Sequence, residues 1–483
     1  MIYQNHEDVN PENETNTNFI HAIKELKISK LLPQCGIRKT ARSILGESSS
    51  DKRTAFEIFQ FLILLIFRGC NLFRFLGSKK QDIACSKSTY YRFLSNCHYN
   101  WRRFITLLSA SVIDFFDTLT NPNRFKAFVL DDSVIRRNRS KSVELLAFVH
   151  DHVINKSVRG FNLLALGWTD GFSFIPVAFN MLSSAKESKR FCNARAVDKR
   201  TIGYRNRMAA IMQKPDAAIA MIQDALNSGI VAHYILMDTW FTNEPFIKRL
   251  LDIGLDTIGM LKDNKQKYYL GKKLVSLKYL AAHSVHFTVC DDLLGSIIVQ
   301  TRRENIPVKL VFVRNRNKRS EYIVILSTDT SLSDDEIVRR YGNRWSIECC
   351  FKVCKSLLKL GKEFQPVNYD TTVSSTALVF ARFIILEWIR RKKCDWKTMG
   401  GLFFECCDDI KDIELTEALE RLLAIFINGI KSGEVQISES IRKELINWYM
   451  SQPMFIKHLC TRLLEDSGIL DDDLICGNLS MCS

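Results

Sequence analysis

The spacing of hydrophobic residues changes twice along the chain. Between residues 18 and 118, apolar positions recur at the helical period, which predicts helices. Between 125 and 331 they form short runs that are bounded by turn residues, which predicts strands. Beyond 332 the helical spacing returns. The pattern therefore indicates a mixed α/β centre with helical regions on both sides.

Short apolar runs mark the predicted strands of this centre. FNLLALGW (161–168) and FSFIPVAF (172–179) are separated by the turn TDG and predict a hairpin. AFVLDD (127–132) precedes them, and AHYILMD (232–238) and DTIGML (256–261) follow. Because helical patterns alternate with the last two runs, we expect at least part of the sheet to be parallel.

The segment from 267 to 331 predicts a second group of strands. Its apolar runs follow one another at short spacing and are VHFTVC (285–290), SIIVQTRR (296–303), VKLVFVRN (308–315) and EYIVILSTD (321–329). Such spacing is typical of antiparallel pairing. We therefore expect an antiparallel β subdomain that is inserted into the central fold.

A long helix is predicted directly after this segment. Ser333 can cap its first turn, and Glu336, three residues on, would complete a capping box. Asp334 and Asp335 suit the positive end of the helix dipole. With Gly361 as the stop, the helix would contain about 27 residues and extend about 40 Å.

One stripe of this helix combines an acid with cations and aromatic character. At about 100° per residue, its five polar positions lie within about 60° of one another. They are Tyr341, Arg344, Glu348, Lys352 and Lys355. The opposite stripe can pack on a core and consists of Ile347, Cys350, Val353, Cys354 and Leu357. A carboxylate among cations suits metal-assisted chemistry on a polyanion, although an ordinary solvated helix face has the same periodicity.

The charge balance favours a polyanionic partner. The chain has 68 Lys and Arg against 53 Asp and Glu, which gives a formal net charge of +15. Nucleic acid is favoured over a membrane surface, because the basic residues are scattered along the chain. The apolar run 56–67 is too short to span a bilayer, and the run 377–389 contains Arg382 and Glu387. We expect both runs to be buried helices, and no membrane partner.

Acidic residues stand at the ends of two predicted strands. Asp131 and Asp132 close AFVLDD, and Asp238 closes AHYILMD. Each could simply start a turn. Together with Glu348, however, they could hold two divalent ions about 3.5–4 Å apart, and Mg²⁺ suits such an all-oxygen site.

Cysteine and histidine do not predict a zinc site. The chain contains 15 Cys and no CxxC pair. Without a secretion signal, this composition indicates a reducing compartment. His150 and His152 flank Asp151, but no further ligand accompanies them nearby, so we interpret them as structural or surface residues.

The motifs together resemble a known family. The spacing of Tyr341, Arg344, Glu348 and Lys355 is similar to the Y-(2)-R-(3)-E-(6)-K signature of bacterial DDE insertion-sequence transposases of the IS-four superfamily. VLDDS (129–133) resembles the first-Asp motif of that family. ILMDTWFTN (235–243) resembles the second, so the resemblance covers about 125 to 370.

The resemblance implies a fold and a set of catalytic residues. The fold would be an RNase H-like catalytic core with an inserted antiparallel β subdomain, flanked by N- and C-terminal helical regions. Asp131, Asp238 and Glu348 would be the catalytic metal ligands for two Mg²⁺ ions, which Mn²⁺ can replace. The family motif has Ser or Thr two positions after its first Asp, which selects Asp131 with Ser133 and leaves Asp132 as the alternative.

The resemblance also implies DNA as the partner. Tyr341, Arg344, Lys352 and Lys355 would grip phosphates of the element end, and Trp345 could stack on a displaced base. The function would be cut-and-paste transposition, in which cleavage at terminal inverted repeats precedes strand transfer into target DNA. A homodimer would hold the two ends, on chromosomal DNA in the bacterial cytoplasm.

The domain boundaries follow from these patterns. We expect a polar lead-in (1–17), a helical DNA-binding domain (18–118), the first part of the core (125–266), the β-rich insertion (267–331), the core helix with Glu348 (332–371), a C-terminal helical region (372–464) and an acidic tail (465–483).

Three alternative functions are weighed against this one. A regulator that descends from a transposase would keep the basic regions without needing Asp131, Asp238 and Glu348. A structure-specific nuclease on the same fold would need the three acids but not Tyr341 and Arg344. If the chain were a structural helical protein, the signature spacing would be a coincidence.

Overall fold

The computed structural model describes residues 19–38, 54–78, 85–119, 121, 124–262, 266–285, 292–316, 318–410, 422 and 439–451. The chain divides into two compact units, Met1–Phe403 and Phe404–Ser483. The described part of the second unit is mainly helical, at 404–410 and Glu439–Ser451. The predicted lead-in and acidic tail lie outside the described residues.

The first part of the chain is helical, as its apolar spacing predicts. Its helices are α1 (Phe19–Glu25), α2 (Ile28–Gln34), α3 (Ala55–Leu64), α4 (Leu72–Leu76), α5 (Lys87–Leu94) and α6 (Trp101–Thr118). Thr54 and Glu57 form a capping box at the start of α3, which satisfies two backbone N–H groups. α6 packs on the central sheet, where Ser109 donates a hydrogen bond to the backbone carbonyl of Pro176.

The strands of the described residues all belong to one sheet. They are β1 (Ala127–Arg136), β2 (Ala147–Asp151), β3 (Lys156–Thr169), β4 (Phe174–Leu182), β5 (Tyr234–Met237), β6 (Asp256–Leu261), β7 (Lys267–Leu270), β8 (Lys273–Ser276), β9 (Leu293–Thr301), β10 (Pro307–Arg314) and β11 (Tyr322–Ser327). The helices between them are α7 (Ile202–Ala210), α8 (Lys214–Asn227), α9 (Glu244–Asp252) and α10 (Leu277–Ser284).

Five strands form the RNase H-like core. Their order is β4-β3-β1-β5-β6, in which β3 is antiparallel to β1 and β4, while β1, β5 and β6 are parallel. The apolar runs of the sequence predict each of these strands, and the partly parallel pairing is confirmed. β4 is buried along its whole length because α6 packs on it.

The β-rich segment after β6 extends the core sheet. β11 pairs antiparallel with β6, and β10, β9 and β7 follow in antiparallel order. The predicted strand at 285–290 lies almost entirely outside the described residues. The inserted strands are thus hydrogen-bonded to the core.

The predicted long helix is divided into two, and the single-helix prediction is therefore wrong. α11 (Asp334–Gly342) and α12 (Trp345–Ser356) are separated at Asn343 and Arg344. The Asn343 side-chain amide donates to the carbonyl of Arg340 (3.2 Å), and the Ser346 hydroxyl donates to the carbonyl of Asn343 (2.6 Å). Because these side chains compete for backbone groups, the α-helical hydrogen-bond series is interrupted.

The predicted start of that helix is confirmed apart from its capping box, and its predicted end is wrong. The Ser333 hydroxyl caps α11 by accepting from the N–H of Glu336 (3.2 Å), as predicted. The capping box is not formed, because the Glu336 carboxylate pairs with Arg340 instead. α12 ends at Ser356, before Gly361. Gly361 has a φ of 71° and lies against Ile135, so the chain needs glycine there for a close turn beside β1.

Helix α13 (Tyr369–Lys393) is buried although its composition would suit a membrane span. Among the described residues, it is the one helix that is long and apolar enough to cross a membrane. Most of it is buried in the fold. Arg382, which is fully buried, donates to Glu363 (2.8 Å) and to the carbonyls of Ile63 and Leu62 in α3. The buried-helix prediction for 377–389 is confirmed.

This buried ion pair generates a stability prediction. Arg382→Met should lower the free energy of unfolding by about 3–5 kcal/mol, because Glu363 keeps a buried charge without its partner. Arg382→Met combined with Glu363→Leu should recover part of that loss. Urea unfolding measures both variants.

Arg200→Met is the matched control, because Arg200 pairs with Asp198 at the surface and its removal should change stability little. A similar loss in the Arg382 single and double variants would contradict the role of the unpaired Glu363 charge.

Candidate functional site

The strand register brings Asp131 and Asp238 to adjacent positions. Leu130 of β1 pairs with Met237 of β5, and these are the last paired residues of the two parallel strands. The next residues are Asp131 and Asp238. Neighbouring strands lie about 4.8 Å apart, so the two aspartates lie side by side at the point where β5 ends. The predicted strand end is right for Asp238 but wrong for Asp131 and Asp132, because β1 continues to Arg136 through its pairing with β3.

Asp131 and Asp132 face opposite sides of β1, because side chains alternate along a strand. Asp131 lies on the side that α12 covers, together with Ser133. Asp132 lies on the other side, where it accepts hydrogen bonds from Asn162 (2.7 Å) and Lys214 (2.9 Å). This geometry favours Asp131 over Asp132 as the partner of Glu348.

Arg344 connects the β1 acid to the helix acid. One guanidinium nitrogen lies 3.3 Å from the Asp131 carboxylate, and the other lies 2.5 Å from the Glu348 carboxylate. The Arg344 side chain is 15% exposed and that of Asp131 is 16% exposed, so this contact is largely shielded from solvent. The arrangement joins two residues that are more than two hundred positions apart in the sequence.

Two further signature residues point toward the same side of β1. Lys355 donates a hydrogen bond to the hydroxyl of Ser133 (2.6 Å). The Tyr341 hydroxyl is buried and has no hydrogen-bond partner within the described residues. Burial raises the pKa of Tyr341 to about 12. An orphaned buried hydroxyl calls for a partner, and the guanidinium of Arg344 lies 5.9 Å from the centre of its ring.

The remaining predicted DNA-binding residues lie at the surface. Lys352 is exposed on α12, and the Trp345 side chain at the start of that helix is 62% exposed. Trp240, two residues after Asp238, is 46% exposed. Asp238 accepts from the N–H of Trp240 (3.0 Å), and Lys214 lies 4.5 Å from the indole centre.

Burial and like charges weaken the acidity of the strand aspartates. The pKa of Asp131 is raised to about 7, mainly by burial and also by the neighbouring charges of Asp238 and Asp132, while the hydrogen bond from the Asp132 N–H and the charge of Arg344 oppose the rise. The pKa of Asp238 is also raised, first by burial and then by the charge of Asp132. Such paired carboxyls are typical of sites that receive a cation or a proton.

The acids suit a divalent cation in chemistry but do not converge on one. Asp131, Asp238 and Glu348 offer only carboxylate oxygens, which Mg²⁺ prefers. Within the described ranges, no three His, Cys, Asp or Glu side chains lie close enough together to share an ion. The guanidinium of Arg344 lies between Asp131 and Glu348. The three carboxylates have the ligand chemistry that Mg²⁺ prefers. In this arrangement, however, the positive charge between Asp131 and Glu348 is that of Arg344.

Two basic residues outside the signature helix have internal partners. Arg207 pairs with Glu144 (2.7 Å) and Asp370 (2.7 Å) in the core. Arg137 is turned toward the carbonyl of Phe364. These side chains are therefore engaged within the fold, by residues that are distant in sequence.

Lys214 and Asn162 are site residues that sequence reasoning missed. Lys214 opens α8 beside a proline, and Asn162 interrupts the apolar run of β3. A polar amide inside an otherwise apolar strand was the signal for Asn162, because buried amides need hydrogen-bond partners. Nothing local marked Lys214.

Comparison with known families agrees with this geometry. A family described as DDE superfamily endonuclease matches residues 76–282, which include Asp131 and Asp238. A second, described as transposase DDE domain, matches residues 213–386, which include Asp238 and Glu348. The chain is a DDE transposase. A comparison with curated proteins finds no match.

Membership in this family accounts for the class of chemistry. DDE transposases act on DNA as nucleases, and the superfamily generally uses divalent metal ions. The mixed sheet of this DDE transposase, with helices on its faces, is the RNase H-like core that such activity uses.

The raised pKa of Asp131 generates a prediction about pH. An aspartate in an unfolded chain has a pKa of about 4. Between about pH 4 and about pH 7, Asp131 therefore keeps its proton in the folded protein but loses it in the unfolded chain. This contribution is complete below pH 4 and is lost as the pH rises through 7. It changes the free energy of unfolding by at most about 1.4 kcal/mol per pH unit.

Asp131→Asn removes this titration. Urea unfolding in EDTA, from about pH 5 to pH 8, should show a smaller fall in stability for the variant than for the wild type. Parallel curves would show that Asp131 ionises normally in the folded protein.

Proposed function

We infer that this DDE transposase performs cut-and-paste transposition of its own insertion sequence and belongs to the IS-four group. The observation that carries this inference is the bridge from Asp131 through Arg344 to Glu348, beside Asp238. It joins the signature helix to the strand acids. A nuclease without the signature would have no need for Arg344 at this position.

The three acids have one common role in this proposal. Asp131, Asp238 and Glu348 hold Mg²⁺ or Mn²⁺, while Asp132 is held away from them by Asn162 and Lys214. When bound, the metal ions would activate the attacking oxygen and stabilise the leaving oxygen. Cleavage and joining are both in-line displacements at phosphorus, so one set of carboxylates can serve both.

Arg344 has two alternative partners in this proposal. In the present arrangement it neutralises Asp131 and Glu348. A DNA phosphate offers the planar guanidinium an equivalent pair of oxygens. When Arg344 turns to that phosphate, the two carboxylates become available to the metal ions. DNA binding and metal binding would therefore support each other.

The other signature residues position the DNA end. The orphaned hydroxyl of Tyr341 can donate to a phosphate oxygen near Arg344, and Lys355 can do so beside Ser133. Trp345 and Trp240 present exposed rings, on which a displaced base can stack. Lys352 contributes positive charge on the exposed side of α12.

The DNA partners are the inverted repeats at the element ends and the target duplex. A homodimer would bring two such ends together. This assembly would act on chromosomal DNA in the cytoplasm. The net charge of +15 supports binding to a polyanion of this kind.

The role of Glu348 can be tested directly. With Mg²⁺, the purified protein should nick duplex DNA that carries the inverted repeats flanking its gene. Glu348→Gln should reduce nicking by at least about a thousandfold, because one carboxylate ligand is lost, and should leave DNA affinity nearly unchanged. Gel analysis measures nicking, and fluorescence anisotropy in Ca²⁺ measures binding.

Glu321→Gln is the control for this experiment, because Glu321 is an exposed glutamate that pairs with Lys318. It should nick at the wild-type rate. Equal nicking by the Glu348 variant would exclude Glu348 from catalysis, and DNA binding without any nicking by the wild type would favour the regulator alternative.

The two-partner role of Arg344 predicts a change in metal affinity. Without DNA, Arg344→Met should bind Mn²⁺ about tenfold more tightly than the wild type, because no guanidinium competes for Asp131 and Glu348. Electron paramagnetic resonance of free Mn²⁺ measures this. Adding a DNA end should tighten Mn²⁺ binding in the wild type but much less in the variant.

Arg339→Met removes an exposed charge from α11 and serves as the control. If both variants bind Mn²⁺ equally, the ion pair of Arg344 does not restrict metal binding.

A further inference from the structure

A groove begins where β1 loses its parallel neighbour. β5 ends at Met237, opposite Leu130, so one edge of β1 has no strand partner among the described residues from Asp131 to Arg136. A cavity of about 380 Å³ lies along this edge. The β2–β3 turn forms one wall, and Lys355 with the loop 360–362 forms another.

The groove is cationic, and its two acids are already engaged. Lys355, Lys362 and Arg136 line it, together with His152. Asp132 is bound by Lys214 and Asn162 on the far side of β1. Asp151 pairs with Arg136 (2.5 Å).

Neither of the groove's two lysines forms a salt bridge with a residue that the structure describes. Lys355, which is half-buried, donates a hydrogen bond to the hydroxyl of Ser133, and Asp151 acts on it only as a nearby negative charge. Lys362 is exposed and forms no ion pair with any residue that the structure describes. The two lysines are therefore available to pair with a negatively charged ligand, and a phosphate backbone supplies such charges.

An apolar tip stands at the rim of this charged groove. Val153 is 90% exposed and Ile154 is 42% exposed in the turn between β2 and β3. The carboxylate of Asp151 accepts from the N–H of Val153 (3.1 Å), which fixes the turn. Val153 also lines the cavity. A nucleic acid combines charged phosphates with apolar base faces, so it suits both parts of this surface.

The groove adjoins the acids and has the length of a short DNA segment. Ser133 is two residues from Asp131, or about 7 Å along the strand, and Arg136 is five residues away, or about 17 Å. At 3.4 Å per nucleotide of duplex, this distance corresponds to about five nucleotides. DNA whose reacting phosphate lies at Asp131 can thus continue into the groove.

We propose that this groove binds the DNA segment beside the reacting phosphate, with Lys362 and Arg136 on its phosphates and Val153 against a base step. The proposal rests on the proposed function, since it takes the reacting phosphate to lie at Asp131. It assigns contacts to Arg136, His152, Val153 and Lys362, all outside the signature helix. Val153 acts as a wedge that opens the stack.

The test uses Lys362→Gln and Val153→Ser in the full chain, with end duplexes in Ca²⁺ so that no strand is cut. One set of duplexes extends about five nucleotides beyond the cleavage site, and a second set stops at that site. Lys362→Gln should weaken binding of the extended duplex about three- to tenfold and lower the slope of its salt dependence by about one. The short duplex should bind as it does to the wild type.

Val153→Ser tests the wedge separately. A 2-aminopurine base placed at each of the five flanking positions in turn should brighten on binding to the wild type, because it is unstacked. At one position this signal should fall in the variant, with less than about a twofold change in affinity.

Arg249→Gln is the matched control. Arg249 is 41% exposed and pairs with Asp216 on a helix outside the groove. Thermal unfolding of all variants confirms that each is folded.

Three outcomes would overturn the proposal. The first is equal weakening of short and extended duplexes by Lys362→Gln, and the second is a loss no larger than that of Arg249→Gln. The third is tight binding of oligo-glutamate that Lys362→Gln abolishes while extended DNA binds normally, which would assign the groove to an acidic protein. If the wild type binds and nicks no end duplex at all, the proposed function fails before the groove is tested.

Discussion

The register between β1 and β5 is the constraint on which the site depends. Pairing Leu130 with Met237 places the carboxylates of Asp131 and Asp238 next to each other where β5 ends, at two central strands of a largely buried sheet. The pKa of each carboxyl is raised there, and that of Asp131 reaches about 7. Such an arrangement is unfavourable without a cation. Arg344 supplies positive charge from a separate helix and ties that helix to the strand.

The alternation of side chains along β1 then divides the neighbouring residues between two environments. Asp131 and Ser133 meet the signature helix, whereas Asp132 meets Asn162 and Lys214. The two consecutive aspartates thereby acquire different partners. Asp131 pairs with Arg344, whereas Asp132 is bound by Asn162 and Lys214. The same strand, where it extends past β5, provides the floor of the adjoining groove.

Sequence reasoning predicted the core strands, because apolar runs are local signals, but it ended β1 too early, since Asp131 and Asp132 lie inside a strand whose polar continuation reaches Arg136. The core strands and the helical N-terminal part follow from periodicity. The break at Asn343 was missed, since periodicity continues across it, although the adjacent Gly342 and Asn343 are both poor helix formers. The partners of Arg207 and Arg137 could not be predicted, because they come from segments that are remote in the chain. The exposure of Trp240 likewise depends on the turn that Asp238 forms.

The continuity of the sheet beyond β6 limits how this protein can move. β11 is joined to β6 by an antiparallel ladder of four residue pairs, and β6 in turn is joined to β5, after which Asp238 follows directly. A swinging lid needs a hinge, and a hinge within this ladder would break several backbone hydrogen bonds at once. Any displacement of the inserted strands is therefore transmitted to the neighbours of Asp238. Closure around DNA must come from side chains and loops, or from bending of the whole sheet.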